Sequence, residues 1–296
     1  MLCEISENYG FLTVWFVLTI LGFISMMILS SIVFIRLYVK PTYQLWKLKC
    51  NPTYPSPLLI KKEILHTIKG LMIATLIPAF TLYTSAPSRK YSQGYCGNPF
   101  HLNIFGWFLQ ILCIFTFSDF IEYIYHYCGH TYDFWWCIHK HHHHFYNPSP
   151  FAVIADDWPD QFMRTLPMII LPSLLPINMD LLFFCYASLF YGYGVYLHCG
   201  YEYTKLSAHN RIFNTSYHHY HHHALSTKNK PIYTGFFFKI WDQIFHTEDD
   251  IQKCTCIQCR PVKERSLAIW KKTIKPDYSV LLNITWWWNT SIDVSE

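Results

Sequence analysis

Between Phe11 and Ile35 the chain runs for 25 residues without a charge, most of them apolar. That is more than the roughly 20 residues a helix needs to cross the hydrocarbon core of a bilayer. Such a run predicts a membrane-spanning helix, and composition agrees. Hydrophobic residues make up 52% of the 296, aromatics 19% and charged residues only 14%, against about 25% charged in ordinary soluble domains. The leader before the run carries Glu4 and Glu7 but no Lys or Arg, unlike the basic start of a secretory signal peptide, so the segment is expected to be retained. A formal net charge of +4, scattered along the chain, gives no basic stripe for nucleic acid, and no nucleic-acid partner is expected. The 11 cysteines lie in places such as Cys113 and Cys185, inside apolar stretches. They do not form a spaced disulfide framework, and reduced thiols are expected.

Further candidate segments lie at residues 70 to 86, at 102 to 120, and in a pair at 165 to 179 and 181 to 197 broken by Pro176 and the Asn178-Met179-Asp180 turn. The pair reads as a hairpin with arms short for full crossings, and Pro167 and Pro172 each remove a backbone donor, so one arm is expected to kink or stay shallow. The expected fold is all-α, a multi-pass membrane helical bundle with four or five membrane segments. Orientation follows from the loop carrying Arg36, Lys40, Lys47, Lys49, Lys61, Lys62 and Lys69 against Glu63, which the positive-inside bias places in the cytosol. Threading onward, residues 87 to 101 fall on the far side. Everything from His126 to His144, and from His198 to the C-terminus, returns to the cytosol. The chain divides into an N-terminal transmembrane region at 1–101, a histidine-bearing region at 102–250 and a cytosolic tail at 251–296.

Histidine is the one low-complexity feature: 14 of the 17 fall within residues 126 to 144 and 198 to 223. His126 and His130 form HxxxH at the end of an apolar helix, and a separation of four puts both rings on one face. His139, His142 and His143 form HxxHH, and so do His219, His222 and His223. The register of His218, His221 and His222 satisfies the same pattern, so His218 stays a candidate. His141, His144 and His221 point off a helical metal-facing stripe and are read as solvated neighbours. With His198, nine histidines outnumber the four ligands of a structural zinc, and imidazole suits iron, zinc or copper. Two metal ions with open positions fit the count, and iron is the ion that joins such a site to O2 chemistry. A metal transporter would instead carry polar ligands inside its spanning helices, whereas segments 11 to 35 and 70 to 86 contain no His, Asp or Glu.

Asp119-Phe120, Tyr123, His126, His130, the HKxHH run at 139 to 143, HCGYEY at 198 to 203, HHxxHH at 218 to 223 and Trp241-Asp242 together resemble the fatty acid hydroxylase superfamily over roughly residues 115 to 247. That superfamily includes sterol C-5 desaturases, C-4 methyl sterol oxidases and lipid hydroxylases. HKHHHHFYNPSPFA at 139 to 152 and PDQFMRTLP at 159 to 167 are most similar to the sterol C-5 desaturase branch. The resemblance implies a diiron centre that uses O2 to remove hydrogen from an unactivated C–H bond of a membrane lipid or sterol. Desaturation or hydroxylation then follows. It also implies electrons from cytochrome b5 or a reductase, an external donor in keeping with the lack of a G-x-G-x-x-G fingerprint, and an endoplasmic reticulum location. Three departures stand out. Tyr127 follows the first histidine where the family has Arg. Asp157-Trp158 replaces a family His-Pro, which makes Asp157 a candidate substitute ligand or the mark of an inactive, lipid-binding relative. An insertion lies at Ser226 to Pro231, before Tyr233-Thr234-Gly235. Pro148 to Ala152 can form a rigid wall of the substrate entrance, since proline locks φ. Cys254, Cys256 and Cys259 could bind zinc but lack a clear fourth ligand and are read as an incomplete site. Asn214, Asn283 and Asn289 match the glycosylation pattern but fall in the expected cytosolic parts.

Overall fold

The computed structural model describes residues 2–89, 91–97, 101, 103–249 and 254–289. Among them the regular structure is helical, with isolated β-bridges only between loops. Residues 290–296, which hold the C-terminus expected in the cytosol, lie outside this set.

Among the described residues four helical stretches are long and apolar enough to cross a membrane: Leu2–Val39, Pro57–Ser85, Ile104–Thr131 and Met179–His198. The first is α1 (Leu2–Phe34), extended by a π-turn at Ile35–Val39. Gly10 interrupts it at φ 77°, a left-handed conformation that glycine adopts without a Cβ clash. The unbroken helix therefore begins at Phe11, where the uncharged run begins. Leu12, Phe16, Leu21, Ile28 and Ile32 are all more than half exposed on it, a continuous apolar surface that only lipid or a partner would cover.

After the short α2 (Tyr43–Trp46), the second stretch consists of α3 (Pro57–Ala74) and α4 (Leu76–Ser85). Residues 57 to 69, expected as loop, are helix. The Ser56 hydroxyl caps it by accepting from Leu59 N at 3.2 Å, with Pro57 in the first turn, the chemistry that starts helices. One of its lysines, Lys61, is buried by the protein. Lys61 donates to the Trp287 carbonyl at 2.6 Å. Lys49, also buried, donates to Asn147 Oδ1 at 3.4 Å and faces the rings of Tyr38, Tyr54 and Tyr201.

The third stretch, α5 (Ile104–Thr131), is capped by Asn103, which accepts from Gly106 N at 2.7 Å. It runs on past residue 120 and so carries His126 and His130. α6 (Asp133–His139) folds back against it. The expected hairpin is present but asymmetric. Its descending arm consists of two short helices, α7 (Trp158–Arg164) and α8 (Pro167–Leu174), with Pro172 inside α8. The ascending arm is continuous through α9 (Met179–Phe184), a π-turn at Cys185–Phe190 and α10 (Tyr191–His198). The tip docks on the segment before α5: Gly94 N donates to Pro172 O at 2.8 Å, Tyr95 N to Ile177 O at 3.0 Å and Met179 N to Tyr95 O at 3.1 Å. At about 1.5 Å per residue, α9 and α10 separate that tip from His198 by some 30 Å.

One expectation is overturned at the tip end. Cys3 and Cys96, 93 residues apart, form a disulfide with a Cα–Cα distance of 5.8 Å, while the other nine cysteines are free. The pair is made by α1 packing on α4, a tertiary contact that cysteine spacing does not reveal. The main core joins Val14, Leu82, Ile114, Leu171 and Leu182. A second, aromatic one joins Phe34, Tyr38, Trp46, Phe151, Tyr201 and Tyr278 and ties the tail to the end of α1. The remaining helices are α11 (Ser216–Leu225), α12 (Ile240–Ile244), α13 (Leu267–Lys272) and α14 (Ile284–Asn289). Asn214 is buried, its amide donating to the Gly235 carbonyl.

Candidate metal centre

Three chain segments meet where α5, α6, α10 and α11 end or begin. His126 and His130 come from one face of α5, and His139 from the last turn of α6. His142 and His143 come from the 3-10 turn that follows, His198 from the end of α10, and His219, His222 and His223 from α11. His126, His130, His139, His143 and His222 bring ring nitrogens within 4.8 Å of one another, and so do His142, His198, His219 and His223. The two groups adjoin. The His143 ring lies 5.3 Å from that of His223 across the boundary, and the His139 ring lies 5.6 Å from that of His142. Close approach of α6 to α5 depends on Gly129, where a Cβ would stand 3.0 Å from His139 Cγ.

What orients the rings is behind them. His126 Nδ1 meets the Thr234 carbonyl at 2.9 Å, His130 Nδ1 that of Thr227 at 3.2 Å, His198 Nδ1 that of Gly194 at 2.8 Å and His222 Nδ1 that of Ile232 at 2.6 Å. A carbonyl only accepts, so each of these rings carries its proton on Nδ1 and turns a lone pair inward on Nε2. A carboxylate does the same for one more, Asp160 Oδ2 lying 3.1 Å from His139 Nδ1, and Asp156 is in close contact with His142 Nδ1 without hydrogen-bond geometry. The inward Nε2 atoms of His126, His130, His139, His142 and His222 are buried without a hydrogen-bond partner among the described residues. An unsatisfied buried polar atom costs about 1–3 kcal/mol, and five converging on one place is the pattern metal ligands leave. Burial, and after it the neighbouring imidazoles, holds the pKa of His142, His143, His219, His222 and His223 well below the usual 6.5. The rings are therefore neutral, the form that binds metal. The donor set thus fits two metal ions, one per group.

Other motif residues support this frame. Asp119 accepts from Phe237 N at 2.7 Å, Phe238 N at 3.2 Å and Trp241 Nε1 at 2.8 Å. Asp242 accepts from Thr234 N at 2.9 Å, fixing the carbonyl that holds His126. The Ser226 to Pro231 segment, expected as an insertion, folds over the end of α5. Thr227 pairs with Lys230, and Asn229 N donates to the His130 carbonyl at 2.6 Å. Pro148 to Ala152 is clamped between helices. Ser30 Oγ donates to Pro150 O at 2.7 Å, Thr67 Oγ1 to Phe151 O at 2.6 Å and Ser149 N to Glu63 Oε1 at 3.0 Å.

Two candidates stand outside both groups. His218 faces away, its Nδ1 2.9 Å from Thr215 Oγ1 and its ring 4.6 Å from that of Tyr233; the helix presents the register 219, 222, 223 inward. Asp157 is partly exposed and contacts His141. The carboxylates that do reach metal-facing rings are Asp156 and Asp160, which sequence spacing did not single out. The only available signal was PDQF at 159 to 162, which contains Asp160. His221, expected in solvent, is buried against Asp249 at 2.8 Å.

A crevice of about 1420 Å³ opens between α1, α4 and α9, lined by residues such as Leu21, Ile28, Leu71, Pro78, Phe183 and Tyr191. It contains none of the clustered histidines. A small cavity of about 60 Å³ shares Tyr186 and Tyr191 with it and is also lined by Val153, Glu122 and Arg164. Arg164 is ion-paired with Glu122 at 2.9 Å and with Asp156 at 3.0 Å, and so reaches the carboxylate that contacts His142.

Residues 111–247 match the family model described as fatty acid hydroxylase, a span that contains all nine clustered histidines and their supporting aspartates. Among curated proteins, the chain is similar to the lathosterol oxidase of Rattus norvegicus, with 29% identity over 188 residues, covering 62% of this chain and 60% of the relative. The match therefore spans less than two thirds of the relative's length. No solved structure matches the chain. In the matched domain, and in the histidine frame inside it, this chain is similar to the fatty acid hydroxylase and sterol desaturase superfamily.

Proposed function

We propose that the chain is a membrane-bound, non-haem diiron oxidoreductase that uses O2 to oxidise a lipid, and that the reaction is sterol C-5 desaturation. The observation that carries this is the division of nine imidazoles, eight of them buried and His143 partly so, into two adjoining groups, with the inward Nε2 atoms of His126, His130, His139, His142 and His222 left without a partner among the described residues. One ion would be held by His126, His130, His139, His143 and His222, the other by His142, His198, His219 and His223. His218 and Asp157 are not assigned to either. Imidazole suits iron, and two bound irons would supply O2-dependent removal of hydrogen from an unactivated C–H bond. The chain's own residues do the rest. Asp160 holds His139 in the metal-binding tautomer, and Asp156 contacts His142. Arg164 balances Asp156 and Glu122, and burial keeps water out.

The lipid class is supported by the crevice between α1, α4 and α9, from which a substrate dissolved in the bilayer could enter sideways. The clamped Pro148 to Ala152 run leads into Val153 and Ile154, which line the small cavity. The sterol assignment rests on similarity to a protein whose name states lathosterol oxidation. Electrons would come from cytochrome b5 or a reductase. We assign the histidine end to the cytosol, 102–250 as the catalytic region, 1–101 as its anchor and 251–296 as a cytosolic tail, in the endoplasmic reticulum membrane. A disulfide at Cys3–Cys96, at the far end of the bundle, suits an oxidising lumen.

Expressing the chain in cells that lack sterol C-5 desaturation should restore a Δ5 double bond, and His143→Ala should abolish it. Purified protein should contain about two irons per chain. A hydroxylated lipid or an oxidised C-4 methyl sterol without Δ5 product would keep the diiron centre and overturn the desaturase assignment. A single zinc unchanged by His222→Ala would overturn the centre itself.

A further inference from the structure

Away from the histidine centre, the structure completes a group that sequence spacing leaves incomplete. Cys254, Cys256 and Cys259 are free thiols in the tail, and the loop before α11 delivers His209 to them. His209 Nε2 lies 3.2 Å from Cys259 Sγ and 3.4 Å from Cys256 Sγ, and all four donor atoms lie within 4.8 Å of one another. Zinc bonds of about 2.3 Å to sulfur and 2.0–2.1 Å to nitrogen put tetrahedral donors about 3.5–3.8 Å apart. The two His209–sulfur separations are slightly shorter than that and the other pairs lie within 4.8 Å, so shifts of about 1 Å or less reach it.

The surrounding backbone is already ordered. Cys256 to Cys259 closes a turn in which Cys259 N donates to Cys256 O at 3.0 Å and Arg260 N to the same oxygen at 2.9 Å. The turn is fixed in place by Glu202, whose two oxygens accept from Ile257 N at 2.8 and 2.9 Å and which also pairs with Arg260. Cys256 itself is fully buried against Cys50, Ala208 and Tyr217. From the other side, His209 N donates to Ser207 Oγ at 3.0 Å, and Ser207 Oγ donates to Gln258 Oε1 at 2.8 Å. Both halves of the group are thus held before any metal arrives.

We propose that His209, Cys254, Cys256 and Cys259 form a structural zinc site of the Cys3His type, distinct from the histidine centre. Three soft thiolates and one imidazole select zinc over the harder cations, and four protein ligands leave no open position, which makes the site structural rather than catalytic. The bond clips the tail to the loop in front of α11. Thr255 N donates to the Tyr217 hydroxyl at 2.9 Å, so the clip bears on the first turn of the helix that carries His219, His222 and His223.

The test is metal analysis of the purified full chain, with zinc and iron measured separately. Wild type should hold about one zinc per chain. His209→Ala and Cys259→Ser should lose most of it while iron is kept, and His209→Cys, which restores a fourth ligand, should retain it. In the native wild-type protein the three thiols should resist alkylation until a chelator is added, a reading that stands even where a variant fails to fold. The proposal is overturned if wild type holds no zinc, if zinc is unchanged in His209→Ala, if mass spectrometry finds a disulfide among the three cysteines, or if His209→Ala removes iron in place of zinc. Loss of iron alone in His142→Ala bears on the oxidase reading and leaves this one standing.

Discussion

Six rings of the histidine centre, those of His126, His130, His139, His142, His198 and His222, have Nδ1 against a carbonyl or carboxylate. At the cysteine-rich corner the order lies instead in a short backbone turn, with His209 and Cys259 exposed at its rim. The first arrangement is shaped by four helices and their connecting loops and would keep its form without metal. The second is a local knuckle, seated on the rest of the chain by Glu202, Ser207 and Tyr217, whose donor set is complete only with a residue 45 or more positions away. The difference separates a site that must hold geometry for chemistry from one that only has to hold two segments together.

The comparison breaks first if the histidine centre does not depend on its ligands. Replacing His142 or His222 by Ala removes a buried inward nitrogen and leaves its neighbours with a hole in the ligand set. Turnover is expected to fall by at least about 100-fold, with iron content falling in parallel. Retained iron and activity in both variants would mean that the groups are not ligand sets. A smaller effect belongs to the residues behind them. Asp160→Asn keeps the shape but replaces an acceptor-only carboxylate next to His139 and Tyr125 with an amide. Partners of this kind typically contribute about 10–100-fold in metal affinity or activity. Iron titration of the variant checks it, and an unchanged affinity would make Asp160 a packing residue.

Acid should weaken the centre in a predictable direction. His142, His143, His219, His222 and His223 have folded pKa values below the 6.5 of an exposed ring because of burial and then of each other. Their depressed values mean that the unfolded chain binds more protons than the folded one. The stability they contribute is present above about 6.5 and is lost as pH falls below it. Metal-free protein should melt at a lower temperature at pH 5.5 than at pH 7.5, roughly a window around the free imidazole value. A melting temperature that rises on acidification would contradict the buried neutral rings.

Much of this was legible in the sequence because helical periodicity is local. Spacings of three and four selected His126 with His130, and His219 with His222 and His223, and the uncharged run located α1. Longer-range facts were not. Lys61, inside a helix expected as loop, is covered by Trp287, far along the chain. The Cys3–Cys96 disulfide depends on α1 packing against α4. His209 carries no pattern of its own, since its partners are spaced among themselves and not with it. The choice between His218 and His219 turned on the rotation of α11, which HHxxHH leaves open. Asp156 and Asp157 are neighbours, one buried against His142 and the other partly exposed against His141, and residue type alone could not tell them apart.

That last pair gives the smallest expected effect and the sharpest discrimination. Asp156 is fully buried, contacts His142 and is held by Arg164 at 3.0 Å, whereas Asp157 is about a third exposed and contacts His141, itself outside both groups. If Asp157 replaced a family histidine as a ligand, Asp157→Asn would lower iron content and activity as strongly as His142→Ala does. From its position the variant should instead keep its iron and stay within about twofold of wild-type turnover. What it loses is a partly solvated pair with His141, the kind of contact that contributes about 0–1 kcal/mol. Asp156→Asn, one residue away, should fall in the range expected for Asp160→Asn. Equal losses from both substitutions would show that the segment between α6 and α7 sits differently around the metals from the arrangement described, with Asp157 turned inward.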